Sequence, residues 1–336
     1  MTTRTTNRFR RISTLILLFT ALAALPGCGK YTPPTASIEV AAKGVHAAAI
    51  SDDGKFSSIG SIHHGGSLWR NRDGERLYNW NHKQDDFTTI VASDFSPDHG
   101  WAITSDPHTM VLWNMTDGSA FRFWTAPGEV LSTALSENGN FALLGLGDHT
   151  AVVFDIKRGG IKRTFGHKNR VRSVDLSDDG RYAVTGSEDY SAALWDMASG
   201  KKIFDMPHED DVQLVAISPD GSLILSAAKY DTVKVWDTKT QKALGSVPLG
   251  AEKLNRGLRF TAAKFSKDNQ YLITGRPDQI VQLWNARKLK LLKTWRLPKR
   301  SAWKPTSAAA IAVGFGPGKG KYVAVGANGF IHKLSR

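Results

Sequence analysis

Residues Val171 to Met206 show the pattern from which the fold is predicted most clearly: VRSVDLSDDGRYAVTGSEDYSAALWDMASGKKIFDM. The stretch contains four short apolar runs at residues 171–176, 182–185, 192–195 and 202–204. Asp178-Asp179-Gly180 separates the first two runs, and glycine there supplies the positive φ that a tight hairpin needs. Short apolar runs bounded by such turns predict four antiparallel strands that pair into one sheet.

This unit recurs along the 336-residue chain. Hydrophobic runs end in Ser/Gly-Asp-Gly-like turns that begin at Ser51, Ser96, Ser136, Ser177, Ser218, Ser266 and Gly316. An aromatic residue follows six of the seven turns after 17 or 18 positions, at Trp69, Trp113, Phe154, Trp195, Trp236 and Trp284, with Leu334 in the seventh place. Successive turns lie 45, 40, 41, 41, 48 and 50 residues apart, a period that predicts blade-like repeats stacked around an axis.

The ends of the chain predict how the ring closes. After the last turn only two strands remain, at residues 321–327 and 330–334, so the seventh blade lacks its outer strand. Residues 36–42 alternate in polarity and precede the first full repeat, so they can supply it and remove an open sheet edge. We therefore predict an all-β, seven-bladed β-propeller over residues 36–336, without long helices.

The repeats resemble the WD-repeat family, most clearly where Gly166-His167 begins a copy and Trp195-Asp196 ends it. The resemblance implies a structural tetrad in which Asp bonds His, His bonds Ser or Thr, and that hydroxyl meets the Trp indole N–H. The matching positions are His167, Thr185, Asp189 and Trp195 in blade 4, and His208, Ser226, Asp231 and Trp236 in blade 5. Blade 6 keeps Thr274, Asp278 and Trp284, with Arg256 in the histidine place.

The first 27 residues predict an export signal, because four arginines precede an apolar run from Ile12 to Leu25. Leu25-Pro26-Gly27-Cys28 follows and resembles the bacterial lipoprotein box, which implies that Cys28 is lipidated. Residues 28–35 would then be a tether, and Gly29, in place of aspartate, implies the periplasmic face of the outer membrane. An uncleaved N-terminal anchor is the alternative. Cys28 is the only cysteine, so no intramolecular disulfide forms.

Charge is divided unevenly along the chain. From Cys28 onward the net charge is +9, but residues 249–336 carry 18 Lys/Arg against three acidic residues, which leaves −6 for residues 28–248. A charge asymmetry of this kind usually reports on partners.

In a propeller that resembles the WD-repeat family, the two longest repeat spacings place insertions on the rim called the top. The candidate partner-binding residues in these insertions are Lys253, Arg256, Arg259, Lys299, Arg300, Trp303 and Lys304. They predict binding of an envelope protein with an acidic surface, by a propeller that is monomeric by itself. An anionic glycan or lipid headgroup is the alternative ligand, a solvated rim that only aids solubility is another, and nucleic acid is not expected after export.

A propeller enzyme with a site around the axis is the third functional class. The sequence holds no HExxH, nucleophile elbow, P-loop or calcium loop. His63-His64 is the local histidine pair, and as a metal site it would need further ligands such as His108 or His149. We therefore predict a protein without catalytic residues, metal or cofactor.

Overall fold

The computed structural model describes residues 31–83, 87–248, 260–300 and 308–336. Their strands form seven four-stranded antiparallel sheets, each a separate blade, so the predicted seven-bladed β-propeller is confirmed. The single helix among the described residues is a short 3-10 turn, Glu137–Gly139.

Six blades are continuous in sequence, with the first strand innermost and the fourth outermost. Blade 1 comprises β2 (Val45–Ile50), β3 (Phe56–Ser61), β4 (Gly65–Arg70) and β5 (Glu75–Asn79). Blade 2 comprises β6 (Ala92–Phe95), β7 (Trp101–Ser105), β8 (Thr109–Asn114) and β9 (Ala120–Thr125). Blade 3 comprises β10 (Val130–Leu135), β11 (Phe141–Leu146), β12 (Thr150–Asp155) and β13 (Ile161–Gly166).

The later blades repeat this order. Blade 4 comprises β14 (Val171–Leu176), β15 (Tyr182–Ser187), β16 (Ser191–Asp196) and β17 (Lys202–Pro207). Blade 5 comprises β18 (Val212–Ile217), β19 (Leu223–Ala228), β20 (Val233–Asp237) and β21 (Lys242–Val247). Blade 6 comprises β22 (Ala262–Phe265), β23 (Tyr271–Gly275), β24 (Ile280–Asn285) and β25 (Lys290–Arg296). Blade 7 comprises β26 (Ala310–Phe315), β27 (Lys321–Gly326), β28 (Phe330–Ser335) and β1 (Ala36–Glu39).

The recurring Ser-x-Asp-Gly turn owes its sequence to its own hydrogen bonds. In blade 4 the Ser177 hydroxyl donates to Asp179 Oδ1 at 2.6 Å and accepts from the Tyr182 amide at 3.0 Å. Gly180 adopts φ 67°, which a residue with a side chain adopts at a cost. Ser51, Ser218 and Ser266 make the same bonds in their own blades, so the motif is a fold determinant.

Neighbouring blades share their hydrophobic cores. One cluster combines Leu143 and Val153 of blade 3 with Val174 and Trp195 of blade 4. The second strand of blade 4 carries Gly186 at the next contact, with blade 5, where an added Cβ would lie 2.8 Å from methyl groups of that blade. The periodic aromatic residues therefore fill the space between blades, and glycine lets the sheets approach closely.

The N-terminal strand closes the ring as the sequence predicted. β1 pairs antiparallel with β28, with Ala36 opposite Lys333 and Glu39 opposite Phe330. The strand is shorter than the predicted residues 36–42, because the amides of Val40 and Ala41 both turn to the Gly329 carbonyl, at 2.9 and 3.1 Å.

The residues before β1 are also attached to the propeller. Thr32 donates its amide to Thr294 O at 3.0 Å, beside the outer strand of blade 6, and Thr35 donates to Lys333 O at 2.8 Å. The Arg296 guanidinium lies 4.4 Å from the Tyr31 ring centroid. Part of the segment predicted as a tether, residues 28–35, is thus bound to blades 6 and 7.

Antiparallel topology assigns the loops to two rims. Connections from the first to the second strand and from the third to the fourth lie at one end, called the bottom. Connections from the second to the third strand and between blades lie at the other end, called the top.

Candidate interaction surfaces and the axial channel

Blade 4 contains the full hydrogen-bonded tetrad. His167 Nδ1 lies 2.9 Å from Asp189 Oδ2, and His167 Nε2 lies 2.8 Å from Thr185 Oγ1. The Trp195 indole donates to that same hydroxyl at 2.8 Å. Burial alone would raise the pKa of Asp189, but hydrogen bonds, first among them that from His167, hold the pKa well below its usual value.

Blade 5 repeats the arrangement with a serine. His208 bridges Asp231 Oδ2 at 2.8 Å and Ser226 Oγ at 2.7 Å, and Trp236 donates to Ser226 at 2.8 Å. Burial lowers the pKa of His208 despite the neighbouring Asp231 carboxylate. Asp231 lies one residue later than its counterpart in blade 4, yet its carboxylate reaches the histidine. Both networks satisfy buried polar groups, which supports a structural role.

Blade 2 holds a related network that the sequence reasoning missed. His82 Nε2 lies 2.9 Å from Thr104 Oγ1, which accepts the Trp113 indole N–H at 2.8 Å. Thr109 stands between the histidine and the acid: its hydroxyl lies 2.7 Å from His82 Nδ1 and donates to Asp106 at 2.6 Å. The longer loop into blade 2 places His82 22 residues before its threonine, against 18 in blade 4, which hid the match.

Blade 6 keeps only half of the network among the described residues. Trp284 donates to Thr274 at 3.0 Å, as in the other blades. Asp278 accepts instead from Arg276, at 2.6 and 2.9 Å. Arg256, in the histidine place by sequence, lies outside the described residues.

The predicted basic top rim is described only in part. Five of its seven residues lie outside the described ranges: Lys253, Arg256, Arg259, Trp303 and Lys304. Lys299 is exposed, directly after the outer strand of blade 6. Lys43, in the top loop before blade 1, is exposed as well.

Arg300 differs from Lys299 because its side chain is held within the molecule. Its guanidinium pairs with Glu39 Oε1 at 2.7 Å and donates to the carbonyls of Ala41, at 2.5 Å, and Asn328, at 2.9 Å. It also lies 4.9 Å from the Phe330 ring centroid. Arg300 therefore fastens the end of the closing strand to blade 7, and a quarter of its side chain stays accessible.

The histidines considered for a metal lie in top loops. His63 and His64 are exposed in blade 1, and the His64 ring stacks edge-on against Phe87 at 5.9 Å. His108 and His149 lie in the corresponding loops of blades 2 and 3. Within the described ranges, no group of three or more His, Cys, Asp or Glu side chains is placed to hold a metal ion.

A channel of about 450 Å³ runs along the axis between the innermost strands. Three of the charged residues that face it share one position of the repeat, two before the turn serine: Asp94 in blade 2, Asp175 in blade 4 and Lys264 in blade 6. The other blades have alanine or glycine there, at Ala49, Ala134, Ala216 and Gly314. That contrast is the sequence signal that the motif analysis overlooked.

These axial residues join blades to one another. Asp94 accepts the Leu135 amide of blade 3 at 2.8 Å, and Asp175 accepts the Ile217 amide of blade 5 at 2.9 Å. Lys264 forms an ion pair with Asp52 and donates to Ile50 O at 3.2 Å, both in blade 1.

The axial carboxyl groups are also electrostatically unusual. Burial raises the pKa of Asp94 to about 6 and that of Asp175 to about 7, although both accept backbone hydrogen bonds. Lys264, whose side chain is 32% exposed, has a pKa raised by the carboxylates of Asp52 and Asp94 against the effect of its partial burial.

Comparison with known proteins agrees with the blade pattern. Residues 159–196, 200–237 and 257–285 match the family described as WD domain, G-beta repeat (WD40). These segments cover most of blades 4, 5 and 6. The chain is thus a seven-bladed propeller that contains WD40 repeats, and such propellers are mostly non-catalytic scaffolds that bind other proteins. No curated protein sequence gives a significant match.

Among the residues that the structure describes, no helix has the length and apolar character needed to cross a bilayer.

Proposed function

We propose that this protein is a non-catalytic interaction scaffold in a bacterial envelope. In this proposal a lipid on Cys28 anchors it to a membrane, with the periplasmic face of the outer membrane as its location. The basic top rim of blades 5 to 7 binds an acidic surface of a partner protein. A rigid propeller suits this role because it holds its loops in fixed positions around one rim.

The charge distribution is the observation that carries the proposal. Residues 249–336 have a net charge of +15, and part of that charge belongs to the two longest repeat insertions, which the sequence predicts on the top. Exposed positive charges attract an acidic partner over a distance and speed its association. Trp303 supplies an aromatic residue of the kind that dominates the binding energy of many protein interfaces.

The described part of the rim supports a division of roles. Lys299 and Lys43 are exposed, whereas Arg300 is occupied by Glu39 and by backbone carbonyls. A test of partner binding should therefore replace Lys299 and leave Arg300 intact, since an Arg300 variant would disturb ring closure as well.

Binding is tested by quantitative cross-linking in cells with the double variant Lys299→Glu, Trp303→Ala. We expect loss of the partner cross-links that the wild-type chain forms. Lys288→Glu is the matched control, because Lys288 is exposed on the bottom rim of blade 6. Unchanged cross-links in the double variant would contradict the proposal. Binding that survives loss of Trp303 and falls steeply with salt would favour an anionic glycan or lipid headgroup.

The tether is tested separately by fractionation of a Cys28→Ser variant. Cys28 precedes Tyr31 by three residues, which span at most about 11 Å, so the anchored propeller would stay close to the bilayer. We expect release from membranes or an unprocessed precursor of larger mass. Unchanged fractionation and mass would show that Cys28 is not lipidated. That result would not bear on the proposal that the rim binds a partner.

A further inference from the structure

A hollow of about 620 Å³ opens on the bottom face between blades 7 and 1, and we call it the seam hollow. It lies between the first turns of both blades, the third-to-fourth turn of blade 1 and the beginning of the closing strand. Its volume is in the range of about 300–1,000 Å³ that small-molecule sites occupy.

The walls of the seam hollow are mainly apolar. Val323 of blade 7 faces blade 1, and Pro317 stands in the first turn of blade 7. Val323 is itself buried, so its position is fixed by the core behind it. The hollow is therefore a preformed surface suited to an apolar chain.

The rim of the seam hollow is cationic. Five of its lining residues are basic, namely Lys55, Arg70, Arg72, Lys321 and Lys333, and none of the described residues that line it is acidic. Three of the five have carboxylate partners outside the lining: Lys55 pairs with Asp53 at 3.0 Å, and Arg70 and Arg72 pair with Asp73 at 2.8 and 3.2 Å.

Two of the five cations are available for an anion. Among the described residues, neither Lys321 nor Lys333 has a carboxylate within salt-bridge distance, and Lys333 donates to the Arg72 carbonyl at 2.7 Å. They lie on adjacent antiparallel strands, Lys321 at the beginning of β27 and Lys333 near the end of β28. An anionic group bound here would meet positive charge next to an apolar cavity.

We propose that the seam hollow binds an amphiphile with an anionic head and an apolar chain. The chain would lie against Val323 and Pro317, and a carboxylate or phosphate would be held by Lys321 and Lys333. A neutral head would gain no ion pair, and a cationic head would be repelled. The proposal is independent of the proposed partner binding at the top, because the hollow lies on the bottom face.

Occupancy would also strengthen ring closure. Thr35 and Lys333 both line the hollow, and the Thr35 amide and hydroxyl bond the Lys333 carbonyl at 2.8 and 3.0 Å. A ligand that touches both sides of this junction binds the closed ring and not the open one, so it raises the Tm.

The test is calorimetric titration of the full chain in nanodiscs of neutral phosphatidylcholine, with empty nanodiscs subtracted. Laurate is the probe, and dodecylammonium has the same chain with the opposite charge. We expect laurate to bind, to raise the Tm, and to bind at least tenfold more tightly than dodecylammonium. Equal affinity for the two amphiphiles, or no laurate binding, overturns the proposal.

Three variants separate the head site from the chain site. Lys321→Glu, Lys333→Glu should weaken laurate binding at least tenfold, whereas Lys319→Glu, a neighbour outside the lining, should change it less than twofold. Thr35→Trp should fill the hollow and abolish binding with all lysines present. If Lys319→Glu and the double variant have the same effect, the proposed head site is wrong. Unfolding curves are used to check that each variant is folded. If the double variant is not folded, the single variant Lys321→Glu takes its place.

A competition arm identifies the source of the amphiphile. Displacement of laurate by dihexanoyl phosphatidylglycerol would support a membrane lipid as the ligand. Laurate binding that this lipid does not displace would support a free fatty acid.

Discussion

The Nη1 atom of Arg300 lies 2.7 Å from Oε1 of Glu39, so a residue that follows the outer strand of blade 6 fastens the strand that closes blade 7. The same guanidinium reaches the Ala41 and Asn328 carbonyls beyond the end of β1. Ring closure thus depends on a side-chain clamp as well as on the β1–β28 ladder. The clamp sits inside the segment whose charge predicts partner binding.

Removal of the clamp should lower stability. Arg300→Ala leaves two backbone carbonyls and Glu39 without their charged donor, and hydrogen bonds to charged groups contribute about 1.5–3 kcal/mol. We expect the free energy of unfolding, measured in urea, to fall by about that amount. Lys299→Ala is the control and should change it by less than about 0.5 kcal/mol, because Lys299 is exposed. Equal effects of the two variants would argue against the clamp.

The tetrads should be stabilising through their indole hydrogen bonds. Trp195→Phe keeps an aromatic ring, as Phe154 does naturally in blade 3, but leaves the buried Thr185 hydroxyl without its donor. We expect a loss of about 1–3 kcal/mol in urea unfolding. Trp124→Phe serves as the comparison, because Trp124 lies on an outer strand and is only half-buried. A similar loss of stability in Trp124→Phe would show that the smaller ring, and not the lost indole hydrogen bond, causes the effect.

The tetrad acids should make stability fall in acid. Because hydrogen bonds hold the pKa of Asp189 below its unfolded value of about 3.9, its contribution is complete above pH 4 and is lost as the pH falls below that value. Asp189→Asn should therefore be less stable than wild type at pH 7, with a difference that narrows towards pH 3. A difference that stays constant with pH would show that ionisation of Asp189 is not involved.

The axial acids should make stability fall as the pH rises, which is the opposite of the effect of the tetrad acids, and they should do so in a higher pH range. Asp175 has a pKa of about 7 in the folded state, so the folded protein binds more protons than the unfolded chain between pH 4 and 7. Its contribution to stability falls as the pH rises through that range. Asp175→Asn should lessen the loss of stability between pH 5 and 8, measured by urea unfolding. Asp98→Asn, in an exposed turn, should leave the pH profile unchanged.

The sequence predicted the fold because each blade repeats its own local chemistry. The Ser51, Ser177 and Ser218 turns and the periodic tryptophans are local signals, so counting them was enough to predict seven blades. Closure by residues near Ala36 followed from a missing strand.

The features that the sequence did not predict have a common physical cause, because they depend on contacts between distant parts of the chain. The links from Arg300 to Glu39 and from Lys264 to Asp52 join residues more than 200 positions apart, and no repeat pattern encodes them. The network around His82 was hidden by a longer loop. The seam hollow exists only where the first and last blades meet.

Partner binding through the basic top rim can be tested by photo-crosslinking in cells. A photo-reactive probe is placed at position 299 in one variant and at position 288 in another. Both side chains are exposed near the ends of blade 6, one on the top rim and one on the bottom. The proposed scaffold predicts a discrete adduct from position 299 with a protein that has an acidic surface, and no such adduct from position 288. No adduct from position 299, or the same adduct from both positions, would contradict binding through the basic top rim.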